Sequence, residues 1–389
     1  MKKNLLMWDQ TLFKDIEVFD IDYVPEQFEF RDEQMQALVY AVRPALAGSR
    51  VLNCVCRGVP GTGKTTTVKK LFEEIESTTK RIVPIHINCQ IDGSEYAIFA
   101  RIYTRLTKNR QPPSGTSFKI LLDMLAKFIE NEGITPLVCL DDANYLTYER
   151  QVLNKVLYAL LRSHEAYSHV KIGVIVVISD PDVDLNTSID ARVASVFRPE
   201  LINFAPYTPS EVARILEMRV AQGLYPRVMS PEMLDKIIDR TMKCGDIRIG
   251  LDLIKRSVMN AERSARTSVE EEDVTAAFAV SRELHLSSVI QSLSPEEMAV
   301  LYQIAQMTND TDIINTRDVH TALTENKTGY TRFVQIIEKL DHLRLITLTY
   351  QNVGRGRTRI VSLRYEPDRV FAQMPGARKA CRGNAGADS

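Results

Sequence analysis

The chain has 389 residues, enough for two or three domains that each bury a hydrophobic core. Its 49 basic and 50 acidic residues leave a net charge of −1, so a polyanion must be bound by a local basic patch. No run of about 18 apolar residues is present to span a membrane, and the N-terminal sequence does not predict a secretory signal. The six cysteines form no C-x-x-C pair, and we interpret them as reduced thiols of a cytoplasmic protein.

The first half of the chain alternates apolar strand-like runs with amphipathic helical patterns. Strands are predicted at 51–57, 82–88, 136–140 and 171–178, and helices at about 94–107, 117–131 and 147–166. Strands that alternate with helices predict a parallel sheet covered on both faces. We therefore expect an α/β nucleotide-binding domain over residues 10–205.

The next segment contains helical patterns only. Ser210 is the candidate N-cap of its first helix, and further helices are predicted at about 231–242, 247–264 and 270–283. Because nothing strand-like interrupts them, these helices predict a small helical domain over residues 206–288.

The C-terminal part has a third pattern. Helices are predicted at about 295–307, 316–324 and 330–343, followed by strand-like segments at 345–351 and 359–365. Three helices and a two-stranded ribbon predict a winged helix-turn-helix domain over residues 289–370. The remaining residues, 371–389, are rich in Gly, Ala and Arg, and we predict that they are disordered.

A glycine-rich loop between the first strand and the following helix predicts a P-loop. Gly58, Gly61 and Gly63 let the backbone turn its N–H groups toward phosphate oxygens, next to the positive end of a helix. Lys64 is predicted to reach the β- and γ-phosphates, and the Thr65 hydroxyl to ligate Mg²⁺. The loop residues predicted to contact ATP are Gly58, Val59, Pro60, Gly61, Thr62, Gly63, Lys64, Thr65 and Thr66.

A P-loop needs an acidic partner at the end of a neighbouring strand, and the segment LVCLDDA supplies two carboxylates. Asp141 is the predicted Mg²⁺ partner. Asp142 follows it, where a carboxylate that activates water is expected. An Asp is about one methylene shorter than a Glu, so we expect poorer positioning of the attacking water and slow hydrolysis.

Three more polar residues are candidates for sensing the nucleotide. Asp180 ends the next strand, whose carboxyl edge faces the γ-phosphate in such folds. Arg192 is a candidate arginine finger that acts on the ATP of a neighbouring subunit. Arg248 opens a helix of the helical domain and is predicted to reach the γ-phosphate when this lid closes. For both arginines, an ordinary surface position is the alternative.

The P-loop, the segments LDDA, RVAS and GDIR, and the winged helix occur in the order found in one family. Over residues 10–370 the chain resembles the archaeal origin-recognition initiators. These AAA+ ATPases are related to the largest subunit of the eukaryotic origin recognition complex. The segment Tyr23-Val24-Pro25 and the Phe30-Arg31-Asp32 element match further family positions.

The resemblance implies that Tyr23, Val24 and Pro25 pack on the adenine base, and Tyr207 is also predicted to contact ATP. It implies that an inserted helix near 92–108 contacts DNA. The chain departs from the family at Asp180, where Asn is usual, at Asp142, where Glu is common, and at Phe30, where His is usual. These departures affect ATP hydrolysis more than ATP binding.

The wing sequence GRGRTR carries the local basic charge. Residues 353–364 contain four arginines and no acidic residue, and arginine on a hairpin tip suits a narrow minor groove. Thr331 and Arg332 lie at the start of the predicted recognition helix, the end that meets DNA in helix-turn-helix docking. The predicted DNA contacts are Thr331, Arg332, Arg355, Arg357 and Arg359. A winged helix used for protein contacts is the alternative.

These expectations describe an ATP-binding initiator of DNA replication, located in the cytoplasm at the nucleoid. It would bind origin duplex DNA and act with the replicative helicase and a paralogous initiator. Helicase loading follows from the resemblance alone. Two other functions remain open: a motor of clamp-loader or branch-migration type, and an ATP-binding winged-helix transcription regulator.

Overall fold

The computed structural model describes residues 11–26, 28–148, 152–167, 169–180, 183, 185–310, 314–323, 329–353 and 356–374. The chain forms two compact units, one spanning Val24–Tyr207 and one built from the residues up to Tyr23 together with those from Thr208 onward. In the part of the chain that the structure describes, no helix combines the length and the hydrophobicity needed to cross a bilayer.

A five-stranded parallel sheet forms the centre of the first unit, as predicted. Its strands are β1 (Cys54–Arg57), β2 (Ile82–Asn88), β3 (Thr135–Asp141), β4 (Gly173–Ile178) and β5 (Glu200–Asn203), in the order β2-β3-β4-β1-β5. Successive residues of β4 enter two different cores, because side chains alternate between the faces of a sheet: Val174 and Val176 pack on one side, Ile175 and Val177 on the other. The sequence did not predict β5, which is short and mostly exposed.

Nine helices of this unit are described. They are α1 (Asp32–Leu46), α2 (Lys64–Thr78), α3 (Glu95–Leu106), α4 (Phe118–Glu132), α5 (Tyr145–Tyr148), α6 (Val152–Leu161), α7 (Ser163–Ala166), α8 (Leu185–Ser188) and α9 (Ala191–Phe197). The prediction of one helix over 147–166 is wrong, because Arg162 has non-helical angles (φ −102°, ψ 8°) and separates α6 from α7.

The second unit begins with four helices: α10 (Pro209–Gly223), α11 (Pro231–Cys244), α12 (Ile247–Arg263) and α13 (Glu271–Ser292). The predicted N-cap Ser210 is wrong, and Thr208 caps α10. The Thr208 hydroxyl accepts from the Glu211 backbone N–H, and the Glu211 carboxylate accepts from the Thr208 N–H at 2.7 Å. This reciprocal pair satisfies two backbone donors, which a cap at Ser210 would leave unpaired.

Two predicted boundaries of this region differ from the structure. Residues 11–23 pack with the helices: the backbone N–H of Lys14 donates to Gly223 O at 2.9 Å, and Phe19 lies against Gly223. The predicted boundary at 288 falls inside α13, which runs unbroken to Ser292. Leu286, before that boundary, is buried in the core of the C-terminal helices, so the last turns of α13 belong to both parts.

The C-terminal part has the element order expected of a winged helix-turn-helix. It contains α14 (Pro295–Asp310), β6 (Ile314–Asn315), α15 (Thr316–Ala322), α16 (Tyr330–His342), β7 (Ile346–Val353), β8 (Gly356–Leu363) and α17 (Pro367–Gln373), with an antiparallel sheet of order β6-β8-β7. The predicted core residues of α16 are buried: Phe333, Ile336, Ile337 and Leu340. The prediction of disorder is wrong for residues 371–373, which are helical, and 375–389 lie outside the described residues.

Candidate nucleotide site and DNA-binding surface

The predicted P-loop joins β1 to α2, and its glycines fit where side chains do not. A Cβ atom on Gly58 would lie 2.3 Å from the carbonyl oxygen of Phe204. Gly61 and Gly63 have φ of +77° and +85°, a backbone conformation that glycine adopts without steric cost. The loop therefore follows a path that only these small residues permit, and it leads directly into the N-terminus of α2.

Lys64 is the first residue of α2 and is almost completely buried. Its Nζ donates to the carbonyl oxygens of Gly58 at 2.8 Å and Val59 at 2.9 Å. The ammonium is thus held against the loop, beside the N-terminal N–H groups of α2, which have no acceptor within the helix itself. This combination of a positive charge and backbone donors is the arrangement that binds phosphate.

Thr65 and Asp141 meet beneath the loop. The Thr65 hydroxyl donates to Asp141 Oδ2 at 2.9 Å, and Asp141 is 4% exposed. They are neighbours because β1 pairs with β4, which pairs with β3, so the carboxyl ends of these strands share one edge. A hydroxyl and a carboxylate are hard oxygen donors, the ligand type that Mg²⁺ prefers.

The same edge brings together the other two predicted acidic residues. Asp142 has a φ of +52°, and its carboxylate accepts a hydrogen bond from the Ser179 hydroxyl at 2.7 Å. Asp180 follows Ser179 at the end of β4 and is 7% exposed. A positive φ at a non-glycine residue costs on the order of 1 kcal/mol, so the surrounding structure holds Asp142 in a strained position.

Arg31, for which no role is predicted from the sequence, is buried beside the P-loop. Its guanidinium donates to the carbonyl oxygens of Thr62 at 2.9 Å and Ala205 at 2.8 Å. Its Cζ lies 3.8 Å from the centre of the Tyr207 ring. Arg31 thus connects the start of α1 with the loop and with the last residue of the unit. The only signal in the sequence is its place in the Phe-Arg-Asp element.

A second residue without an assigned role is His86 on β2. Its Nε2 lies 2.8 Å from Asp141 Oδ2, the oxygen that also accepts from Thr65. Within an apolar strand a single histidine gives little signal, because its contact depends on the pairing of β2 with β3.

Other residues predicted to contact ATP belong to different places in the fold. Val24 and Pro25 begin the unit that carries the P-loop, whereas Tyr23 belongs to the second unit, where its ring lies 4.7 Å from the Arg219 guanidinium. Arg248 is also in the second unit. Its Nε lies 3.0 Å from both carboxylate oxygens of Asp246, the N-cap of α12.

Arg192, the candidate arginine finger, lies on α9 and its side chain is 79% exposed. Its guanidinium forms a long ion pair with Asp190, with 3.9 Å between Nη2 and the carboxylate. An exposed guanidinium with only a long ion pair can approach another molecule without losing a buried contact.

The predicted DNA-binding residues are only partly within the described residues. Thr331 is exposed in the first turn of α16. Arg332 lies beside it, with Nε 3.4 Å from Glu296, and Arg359 on β8 donates to Glu338 at 3.1 Å. The position of Arg355 and the side chain of Arg357 lie outside the described residues. Carboxylates thus accompany both arginines whose side chains are described.

The helix predicted to be inserted near 92–108 corresponds to α3. Ser94 caps its N-terminus, and one face is buried in the core through Ile98, Phe99 and Ile102. On the exposed side, Arg101 pairs with Asp92 at 3.1 Å.

Burial also determines the chemistry of the cysteines. The five described cysteines are free thiols in buried positions. Burial raises the pKa of the Cys54 thiol to about 12 and raises those of Cys56, Cys89, Cys139 and Cys244 as well. Among the described residues no group of three or more His, Cys, Asp or Glu side chains is arranged to hold a metal ion.

A P-loop after β1, an acidic partner at the end of β3, two strands away in the same parallel sheet, and a following set of helices are the features of an AAA+ ATPase. Residues 49–184 match the family model described as an AAA domain, and residues 213–279 match that of the Cdc6 AAA+ ATPase-type lid domain. The chain is 44% identical to ORC1-type DNA replication protein 3 of Haloarcula marismortui, over 95% of this chain and 98% of the relative. It is 41% identical to ORC1-type DNA replication protein 2 of Methanosarcina mazei, over 95% and 97%. The chain therefore belongs to the ORC1-type DNA replication proteins, which confirms the resemblance.

Solved structures show the same fold. The Aeropyrum pernix ORC1 protein, solved in complex with DNA, matches with a TM-score of 0.68 and 23% identity, over 96% of this chain and 100% of that one. Cdc6p of Pyrobaculum aerophilum matches with a TM-score of 0.62 and 22% identity, over 96% and 99%.

Proposed function

We propose that this ATPase is a nucleotide-controlled initiator that binds replication-origin duplex DNA and helps to recruit or load the replicative helicase. The observation that carries the proposal is the contact between Thr65 and Asp141 beneath the P-loop, at 2.9 Å. A protein that uses its winged helix without nucleotide would not need a buried carboxylate at this point. The proposal places the protein in the cytoplasm, at the nucleoid, with a paralogous initiator as a further partner.

In this function ATP binds along the P-loop. Backbone N–H groups of the loop and the Lys64 ammonium hold the phosphates, while Thr65 and Asp141 hold the Mg²⁺ that accompanies them. Val24, Pro25 and Tyr207, together with Tyr23, enclose the base. Bound Mg²⁺ neutralises phosphate charge.

Hydrolysis is slow in this proposal. Asp142 is the residue that positions water. Its side chain is one methylene shorter than that of Glu, and its carboxylate accepts a hydrogen bond from the Ser179 hydroxyl. Asp180 adds a second acid at the same edge, where negative charge opposes the charge that develops on a phosphate. Arg192 of a neighbouring subunit and Arg248 of the lid sense the γ-phosphate. ATP therefore acts chiefly as a switch of conformation.

Duplex DNA is the proposed partner of the winged helix. The first turn of α16, with Thr331 and Arg332, meets the major groove, and the wing arginines Arg355, Arg357 and Arg359 enter the adjacent minor groove. The DNA complex of the Aeropyrum pernix ORC1 protein supports this partner. Helix α3 provides a second contact from the nucleotide-binding unit.

Genome-wide footprinting with and without ATP tests the function. Protection of replication origins that depends on ATP is the expected result. Protection confined to promoters would identify a transcription regulator instead, and fast ATP turnover stimulated by DNA without origin protection would identify a motor. The Lys64→Ala variant serves as the nucleotide-free control.

A further inference from the structure

The Asp141 carboxylate is held by three donors. Oδ2 accepts from the Thr65 hydroxyl at 2.9 Å and contacts His86 Nε2 at 2.8 Å, and Oδ1 accepts from the Asp142 backbone N–H at 3.1 Å. A carboxylate oxygen is an acceptor, so the contact with His86 requires that Nε2 carries a proton and donates it. Both oxygens are thus fixed, and the plane of the carboxylate cannot turn freely.

The position of His86 follows from the sheet. β2 pairs with β3 in register, with His86 opposite Cys139 and Asn88 opposite Asp141. The imidazole therefore leans along the strand direction toward the carboxyl edge, where Asp141 lies. Its side chain is 28% exposed, while that of Asp141 is 5% exposed.

The contact with Asp141 is the one hydrogen bond that the structure gives for the His86 ring, within the residues it describes. The strand itself does not require this ring, because the apolar neighbours Ile85 and Ile87 supply the burial at this point. A polar, partly exposed side chain whose one described hydrogen bond goes to a buried carboxylate is placed to act on that carboxylate.

We propose that His86 is a positioning residue for the Mg²⁺–nucleotide site: its Nε2–H holds Asp141 in the orientation that receives the metal. This inference rests on the proposed ATP and Mg²⁺ site. Hydrogen bonds from such outer partners orient metal-binding side chains, and their loss typically weakens metal affinity 10–100-fold. In this proposal His86 acts through its hydrogen bond to Asp141 and not by contacting the nucleotide or the metal itself.

The test measures the affinity for a fluorescent ATP analogue at a series of free Mg²⁺ concentrations and in EDTA. His86→Phe removes the donor and keeps a ring of similar size, His86→Ala removes the donor and the ring, and His86→Gln keeps a donor on a flexible side chain. We expect the first two variants to need about tenfold more Mg²⁺ for half-maximal binding, with an unchanged affinity in EDTA. The Gln variant should stay within about threefold of the unaltered chain, since it retains a donor.

Two results would overturn the inference. One is a Mg²⁺ dependence of both donor-free variants equal to that of the unaltered protein. The other is an equal loss of affinity with and without Mg²⁺ together with a lower melting temperature, which identifies a structural role. Failure of the unaltered protein to bind ATP would instead contradict the proposed function, so the two failures are distinguishable.

Discussion

The Arg31 guanidinium stacks on the ring of Tyr207, with its Cζ 3.8 Å from the ring centre. The two residues lie at opposite ends of the nucleotide-binding unit in sequence. Arg31 also donates to Thr62 O within the P-loop, and the Tyr207 hydroxyl lies 2.5 Å from where a Cβ atom of Gly63 would be. The pair therefore packs against the P-loop and links it to the segment that follows β5, the last strand of the sheet along the chain.

Removal of this support is expected to destabilise the unit. Arg31→Ala leaves the buried carbonyl oxygen of Thr62 without this donor and removes the stacking partner of Tyr207, and we expect a loss of about 2–4 kcal/mol. Hydrogen exchange of peptides from α2 and β5 measures it. Tyr207→Phe keeps the ring and is the matched control, with a much smaller effect. Unchanged protection in Arg31→Ala would contradict the role.

Lys64 is expected to be essential for ATP binding. Lys64→Ala removes the only charge that the described part of the loop contributes, and we expect at least a 100-fold loss of ATP affinity. Isothermal titration with ATP and Mg²⁺ measures this. Lys70→Ala is the control, since Lys70 lies on the same helix and pairs with Glu73 at 3.4 Å. Comparable losses in both variants would indicate general damage to α2.

A longer carboxylate at position 142 should accelerate hydrolysis. Asp142→Glu extends the side chain toward the attacking water, and we expect a turnover rate about tenfold higher, well within the contribution of a positioned base. Single-turnover hydrolysis of radiolabelled ATP is the measurement. Asp142→Asn should lower the turnover rate below that of the unaltered protein. A rate that does not respond to either change would remove Asp142 from the catalytic role.

The carboxylates beside the arginines that are proposed to bind DNA should oppose DNA binding. Arg359→Ala is expected to weaken binding of duplex DNA and to reduce its salt dependence by about one unit of slope. Glu338→Gln releases Arg359 and removes a negative charge, so affinity at low salt should rise several-fold. Fluorescence anisotropy at several salt concentrations measures both.

A matched pair of controls lies elsewhere in the second unit. Arg369 and Glu283 form an exposed ion pair at 3.4 Å, similar to that of Arg359 and Glu338. Arg369→Ala and Glu283→Gln should leave DNA affinity unchanged. If Arg369→Ala weakens binding as much as Arg359→Ala, and Glu283→Gln strengthens it as much as Glu338→Gln, the effects report net charge and not a contact of Arg359 with DNA.

The buried thiols give the stability a definite pH dependence. The pKa of Cys54 is raised by burial from 9.0 to about 12 in the folded state. Between these pH values the folded state retains a proton that the unfolded state loses. The contribution of the Cys54 thiol to the free energy of unfolding is therefore complete below about pH 9 and declines as the pH rises toward 12. Urea denaturation between pH 8 and pH 10 should give a falling midpoint, with a smaller fall in Cys54→Ala. Alkylation of native protein at pH 8 should spare Cys54, and rapid labelling would contradict its burial.

Much of the nucleotide site was predictable because its signals are local. The P-loop glycines, Lys64 and the Asp141–Asp142 pair stand in short motifs with a strand before or a helix after them. Arg31 and His86 were missed because their contacts come from segments that meet only in the folded sheet. A single polar residue in an apolar run carries no information about the distant side chain that it contacts.

The errors in the predicted secondary structure and domain boundaries have similarly specific causes. Ser210 and Thr208 are both good capping residues, and only the reciprocal bond of Thr208 with Glu211 decides between them. β5 lacks an apolar run because it lies at the edge of the sheet. The boundary predicted at 288 relied on a change of pattern that α13 does not show.

The continuity of α13 limits where the C-terminal part could be exchanged between related proteins. Leu286 belongs to the same buried core as Phe333, although it lies in the segment that the helical part contributes. An exchange of winged helices between paralogous genes at residue 288 would sever this packing and leave the transplanted part without one of its buried side chains. A C-terminal part transferred to a related protein would therefore have to carry the last turns of α13, from Leu286 onward.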